Sequence, residues 1–386
     1  MRRGLQNIAI LALTVLIGSG STPVGPEGPE ASRPANDSLA MRPSAGSVAS
    51  RGNTPAAGKL RFEPLGLSSL RPPSLGRIPV VLVHGLWGSP RMWEPMVKAL
   101  EADPRVSGQF QFLTFGYSGG GSIPHTASLL RRELRALRDR LDPDRSDPSW
   151  DRMILIGHSM GGLLCKMMAQ DSGSKLLDLI TDRPIEELGG PAGALDQLKG
   201  EMIYKPLPEV RRVIFIATPH RGSPLDLEPV RAIALCLVRP SDGSQQVHAS
   251  LLASNDPVVF RPAFRAGLTT SIDELVWEHP LLLAIDGLPL EPRVKRHSII
   301  ADRRSPPRTD GGDGLVPYAS AHHPGATSEL LVSAGHLCLE NPDVIGEVAR
   351  ILKEHATHQD SPIRGPEAVG GSGGVCRQPP IVQANR

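Results

Sequence analysis

A serine hydroxyl attacks a carbonyl near neutral pH only with help. A base must take its proton, a carboxylate must orient that base, and donors must receive the oxyanion that forms. One segment of the chain is suited to present such a serine: Gly157-His158-Ser159-Met160-Gly161. The apolar run Met153-Ile154-Leu155-Ile156 leads into it, and an apolar helix with Leu163, Leu164, Cys165, Met167, Met168 and Ala169 follows. Strand, sharp turn and helix form the context that a G-x-S-x-G needs before it reads as a nucleophile. Ser159 is then expected in a strained backbone conformation that raises its hydroxyl above the strand end. Gly157 and Gly161 remove side chains that would collide where strand and helix converge. The implied chemistry is acyl transfer through Ser159.

The remaining parts can be sought separately. Val83-His84-Gly85-Leu86-Trp87-Gly88 closes the first apolar strand, and its glycine lets the backbone turn so that the Leu86 amide faces the site. The Met160 amide, directly after the nucleophile, would be the second oxyanion donor. His84 lies in that turn and reads as structural support for it rather than as the base. Past Ser159 the histidines are His220, His248, His279, His297, His322, His323, His336, His355 and His358. His336 follows the strand-like Leu330-Leu331-Val332 through Ser333-Ala334-Gly335 and precedes a helix start at Asn341-Pro342. A loop at that end of a last strand can reach Ser159, so His336 is the expected base. His322 and His323 precede the same strand, at its wrong end. For the acid, Asp313 in Thr309-Asp310-Gly311-Gly312-Asp313-Gly314 is preferred, ahead of Asp310 and Asp302. A calcium loop is disfavoured there because too few oxygen ligands cluster at the required spacing.

These residues need a scaffold, and the apolar pattern predicts one. Strands are expected at Ile78 to Val83, Phe110 to Phe115, Met153 to Ile156, Val213 to Ala217, His297 to Ala301 and Glu329 to Val332. Helices are expected at Met92 to Leu100, Ile123 to Leu141 and Pro342 to Leu352; the second has Leu130, Leu134, Leu137 and Leu141 on one face and arginines on the other. Strands apolar throughout and separated by helices imply an α/β fold, with a mostly parallel sheet covered on both faces. Two stretches break the rhythm, 171–210 and 224–296. They are read as helical insertions above the strand C-termini, where a lid or substrate pocket would sit.

The bulk properties narrow the function classes. At 386 residues with 40% hydrophobic residues the chain can bury a sizeable core. A formal net charge of +2 gives no electrostatic case for a nucleic-acid partner. Arg2 and Arg3 precede an apolar run from Ile8 to Ile17, about half the roughly 20 residues that span a bilayer. Residues 1–21 therefore read as an export signal, with retention as a weak anchor the alternative. Residues 22–76, rich in Pro, Gly and Ser, read as a flexible linker, 77–356 as the folded domain, and 357–386 as a disordered tail. The four cysteines, Cys165, Cys236, Cys338 and Cys376, match no metal-binding spacing, and Cys165 reads as a buried small apolar residue.

Together these residues resemble an α/β-hydrolase of the lipase/esterase type over roughly Ile78 to Leu352. The resemblance rests on H-G-L-W-G after the first core strand, G-H-S-M-G-G, A-T-P-H-R-G-S at Ala217 to Ser223, G-D-G-L-V-P at Gly312 to Pro317, and A-G-H at Ala334 to His336. Similar sets occur in relatives of lecithin–cholesterol acyltransferases and lipid-remodelling deacylases. Carried over, the resemblance implies Ser159 as nucleophile, Asp313 as acid, His336 as base, and Leu86 and Met160 as oxyanion donors, in the chain order Ser, Asp, His. Thr218 to Ser223 would shape the pocket. The expected activity is hydrolysis of a small-molecule or lipid ester, with no metal or organic cofactor and with a membrane surface as a compatible setting. An acyltransferase on the same machinery is the runner-up, and a non-catalytic binding protein that keeps the fold is the third reading.

Overall fold

The computed structural model describes residues 60–224 and 241–357. The strands are β1 (Gly66–Ser69), β2 (Ile78–Val83), β3 (Phe110–Gly116), β4 (Met153–His158), β5 (Val210–Ile216), β6 (Lys295–Asp302) and β7 (Ser328–Ser333). They form one sheet in the order β1-β3-β2-β4-β5-β6-β7. Every neighbouring pair is parallel except β1 with β3. The principal helices outside the insertions are α1 (Glu94–Glu101), α2 (Pro104–Ser107), α3 (Ile123–Leu141) and α4 (Met160–Met168). The first insertion carries α5 (Ala192–Met202), and the second carries α6 (Asp242–Ala253), α7 (Pro262–Ala266), α8 (Ser271–Glu274) and α9 (Pro280–Asp286). After β6 come α10 (Tyr318–Ala321) and α11 (Pro342–Thr357).

Side chains alternate across a strand, and the core divides accordingly. Val81, Val83, Leu155, Val213 and Phe215 pack with α3, α4 and the insertions. Val80, Leu82, Ile154, Ile156, Ile214 and Ile216 pack with α1, α2 and α11. This is the mostly parallel sheet covered on both faces that the uninterrupted apolar strands imply.

The insertions pack on each other and on the strand C-termini. Asn255 in the second donates to the carbonyl of Gly189 in the first at 2.8 Å. Ser271 reaches the loop after β3, its amide to the Gly121 carbonyl at 3.2 Å and its hydroxyl to the Gly119 carbonyl at 2.8 Å.

Three expectations need correction or limitation. The linker expected over 22–76 does not extend through its last part: β1 pairs with β3, and Leu70 is buried with the α1 side of the core. A four-residue edge strand, Gly-Leu-Ser-Ser, carries too little apolar alternation to announce itself. β5 begins at Val210 rather than Val213, because Arg211 and Arg212 are buried within it; Arg212 is paired with Glu354 at 3.2 Å. The signal over 1–21, the rest of the linker, the tail beyond Thr357 and residues 225–240 of the second insertion lie outside the described residues. Among the described residues no helix is long and apolar enough to cross a membrane.

Candidate active site

The turn between β4 and α4 holds Ser159 at φ 54°, ψ −129°, a conformation that costs a non-glycine residue strain. Two contacts over-determine it. The Ser159 amide donates to the Ile216 carbonyl at the end of β5, 2.9 Å away, and its carbonyl accepts from Gly162 at 2.9 Å. The flanking glycines are required by close approach. A Cβ at Gly157 would run into the backbone of Gly161 and Gly162, and one at Gly161 into the carbonyls of Val83 and His84.

The loop after β2 lies directly against this turn. A Cβ at Gly85 would stand 2.8 Å from the Ser159 Cβ. Leu86 follows, and Trp87 takes a positive φ of 57°, which tightens the turn closed by the Gly88 amide on the Gly85 carbonyl at 3.0 Å. His84 supports the loop from behind. It stacks on Tyr117 with ring centroids 4.2 Å apart, and the Tyr117 hydroxyl donates to the His84 carbonyl at 2.7 Å. Burial pushes the His84 pKa down to about 4, so it is a neutral support. Met160 is the first residue of α4, so its amide has no intrahelical acceptor and lies at the positive end of the helix.

β6 and β7 bring the other two groups. His336, in the loop after β7, has Nε2 2.9 Å from the Ser159 Oγ and Nδ1 2.7 Å from the Asp313 Oδ2. A carboxylate can only accept here, which places the imidazole proton on Nδ1 and leaves Nε2 to receive the serine proton. The second carboxylate oxygen of Asp313 accepts the amides of Leu315 at 2.8 Å and Val316 at 2.7 Å. Asp313 is 1% exposed and His336 7%, so the chain of bonds is screened from water. Of the alternatives, Asp302 is engaged by Arg304 and by the amides of Arg308 and Gly312. Asp310 is exposed between Arg304 and Arg308.

The Ala217 to Ser223 segment packs beside the site. A Cβ at Gly162 would strike Thr218, the Ser320 hydroxyl donates to the Gly222 carbonyl at 2.6 Å, and Ser223 donates to the carbonyl of Leu315 in the acid loop. The segment thus links the nucleophile helix to the loop of Asp313. His220 is buried within it, edge-on to Phe215.

Two participants have no place in the expected set. One is Tyr117, at the end of β3. The other is His158, whose Nε2 lies 2.8 Å from the backbone carbonyl of His336. A polar side chain at the end of an otherwise apolar strand is the one trace the sequence holds of His158, and it says nothing of the backbone carbonyl that the ring meets; nothing in the residues around Tyr117 marks it.

A cavity of about 240 Å³ lies between the start of α3 and the two insertions. Leu179, Leu198, Met202, Leu251 and Phe264 give it an apolar lining, and Glu274 closes one wall. None of Leu86, Ser159, Met160, Asp313 or His336 lines it. Glu274 accepts from the Ile123 amide at 2.6 Å and the Thr269 hydroxyl at 2.7 Å, yet burial outweighs both bonds and pushes its pKa up to about 8.

A family model described as the alpha/beta hydrolase fold matches residues 78–275. Among solved structures, the mature form of the lipase BlEst2 of Bacillus licheniformis is 16% identical, with a TM-score of 0.42, covering 75% of this chain and 99% of its own. Lipase 1 from Pelosinus fermentans is 11% identical, with a TM-score of 0.43 over 74% of this chain and 100% of its own. A phosphonate-inhibited esterase B from Lactobacillus rhamnosis is 16% identical, with a TM-score of 0.39 over 74% of this chain and 78% of its own.

Proposed function

The chain belongs to the α/β-hydrolase fold family, and we propose that it is a serine hydrolase of carboxylic esters, of the lipase or esterase type. The observation that carries this reading is the bonded series from Asp313 through His336 to Ser159, at 2.7 and 2.9 Å, on a strained strand-to-helix turn. Ser159 is the nucleophile, His336 the general base and then acid, and Asp313 the group that fixes the His336 tautomer. As the Ser159 Oγ attacks the ester carbonyl, its proton passes to His336 Nε2, and the amides of Leu86 and Met160 bind the tetrahedral oxyanion. The alcohol departs with the proton from His336. Water, activated by the same nitrogen, then releases the acid and restores Ser159.

The substrate is a small-molecule or lipid ester with an apolar acyl part, met outside the cytoplasm. The reading of residues 1–21 as an export signal supports that location. The test is hydrolysis of p-nitrophenyl esters from short to long acyl chains by the wild type and by Ser159→Ala. Loss of a triad nucleophile is expected to lower kcat by roughly four to six orders of magnitude. Equal inertness of both proteins across the series would overturn the reading.

A further inference from the structure

We propose that His158 is a positioning residue that clamps the loop carrying His336 onto the strand end carrying Ser159. The inference rests on the reading of Ser159 and His336 as nucleophile and base.

The geometry makes such a clamp necessary. Ser159 follows β4 and His336 follows β7, three positions apart in the sheet. At roughly 4.8 Å per strand, that is about 14 Å between the two strands, a gap that the loop after β7 must cross to bring His336 Nε2 within 2.9 Å of the Ser159 Oγ. The His336 loop is held before the histidine by the Ala334 amide on the Asp302 carbonyl, at 2.9 Å, and after it by a turn from Asn341 to Cys338. The backbone carbonyl of His336 itself is met by the imidazole of His158, the residue next to the nucleophile. A carbonyl only accepts, so His158 Nε2 donates and Nδ1 carries the lone pair. Among the described residues Nδ1 has no hydrogen-bond partner, and it faces the oxyanion loop, with a Cβ at Gly85 falling 3.2 Å from it. The two rings stand 5.0 Å apart at 49°.

The His158 ring therefore lies between the Gly85 loop and the His336 loop, one residue from Ser159. Its other five strand neighbours in β4 are Met153, Ile154, Leu155, Ile156 and Gly157, none of which carries a side-chain donor. An apolar side chain would fill this place without burying a polar ring, which costs free energy unless its bonds are made. The hydrogen bond to the base loop is what an apolar residue could not supply. Burial, aided by the nearby His336, pushes the His158 pKa down to about 3, so the clamp stays neutral and does not compete for the catalytic proton.

The test compares full-length wild type, His158→Phe and His158→Gln. Phenylalanine keeps the ring and loses the donor; glutamine keeps an N–H that can reach the carbonyl. His158→Phe is expected to lower kcat on p-nitrophenyl butyrate by roughly 10- to 100-fold, the range for a sub-ångström to 1 Å misplacement, with KM within about twofold. His158→Gln should recover most of that loss, and the low-field proton resonance of His336 Nδ1–H should broaden or shift in the Phe variant and return in the Gln variant. Equal kcat in wild type and His158→Phe, or equal losses in both variants, would overturn the proposal. If the Phe variant does not fold, the wild type decides by itself. Nitrogen-15 correlation spectra must show His158 as the neutral Nε2–H tautomer, and an Nδ1–H tautomer would overturn the clamp. Ser159→Ala runs alongside. Activity lost there but kept in His158→Phe refutes the clamp alone, whereas a wild type inert to esters refutes the hydrolase reading, and the tautomer still tests the clamp.

Discussion

Gly85→Ala is a small change with a large expected effect, and the structure gives its size. The added Cβ would stand 2.8 Å from the Ser159 Cβ and 3.2 Å from both the Nδ1 and the carbonyl oxygen of His158. Ordinary contact begins at 3.4 Å, so the loop or the nucleophile must move by about 0.6 Å. Neither neighbour is the free end of a flexible side chain. Ser159 is fixed by its amide on Ile216, and His158 by its bond to His336. Overpacking of this kind costs about 1–3 kcal/mol. Against it stands the loss of unfolded-state freedom on replacing glycine, worth about 0.4–1 kcal/mol in the stabilising direction. At mid-range the steric term wins by about 1.3 kcal/mol, which corresponds to a fall in Tm of about 3–5 °C at 2–4 °C per kcal/mol. The displacement falls on the bond between Ser159 and His336 and on the Leu86 amide, so kcat should drop by about 10- to 100-fold. Gly193→Ala is the control: in α5, where its Cβ would meet nothing within 4 Å among the described residues beyond its own helix turn, it should raise Tm slightly and leave kcat unchanged. Thermal melts and p-nitrophenyl butyrate kinetics on the three proteins decide. A Gly85→Ala protein within 1 °C and twofold of wild type would refute the close-approach argument.

Asp313→Asn should leave the fold intact and lower kcat by about 10⁴, because the amide can favour the wrong His336 tautomer; a loss under tenfold in steady-state kinetics would remove Asp313 from its role. Stability should fall as pH drops below 6.5. Burial lowers His84 and His323 to about 4 and His158 and His297 to about 3, so the unfolded chain binds more protons there, each group contributing at most about 1.4 kcal/mol per pH unit. Glu274 has the opposite sign: with its pKa raised from 4.5 to about 8, it favours the fold below 4.5 and loses that contribution as pH rises to 8. Four histidines outweigh one carboxyl on the acid side, and Glu274 acts without them above 6.5. Urea midpoints should therefore peak near pH 6.5, and Glu274→Gln should flatten the alkaline limb; wild-type and variant curves parallel from pH 5 to 8.5 would contradict the assignment.

The sequence pattern carried the scaffold well wherever burial was uniform. The apolar runs that became β2, β3, β4 and most of β6 are visible because both faces of those strands are buried, while β7, largely half-buried at the sheet edge, was marked only by Leu330-Leu331-Val332; the ends of all five moved by no more than two residues. β5 began three residues early because Arg211 and Arg212 read as surface charges, and only a folded neighbour such as Glu354 at the far end of the chain makes a buried guanidinium tolerable. β1 was missed because an edge strand is held by backbone bonds to β3, which leave little trace in side-chain choice. Within the site, Ser159, Asp313 and His336 were legible as residue types in the right order at strand ends, and the structure brings these three together. Tyr117 and His158 were not. Each acts on a backbone carbonyl, of His84 and of His336, and a carbonyl is present at every position of a sequence.

Reaction with a p-nitrophenyl phosphonate, followed by mass mapping of the labelled peptide, addresses the central claim most directly. The account predicts one covalent adduct, on Ser159, formed with release of one equivalent of p-nitrophenol, absent from Ser159→Ala and slowed by orders of magnitude in His336→Ala. Labelling at another residue, or unchanged labelling in the His336→Ala protein, would contradict it.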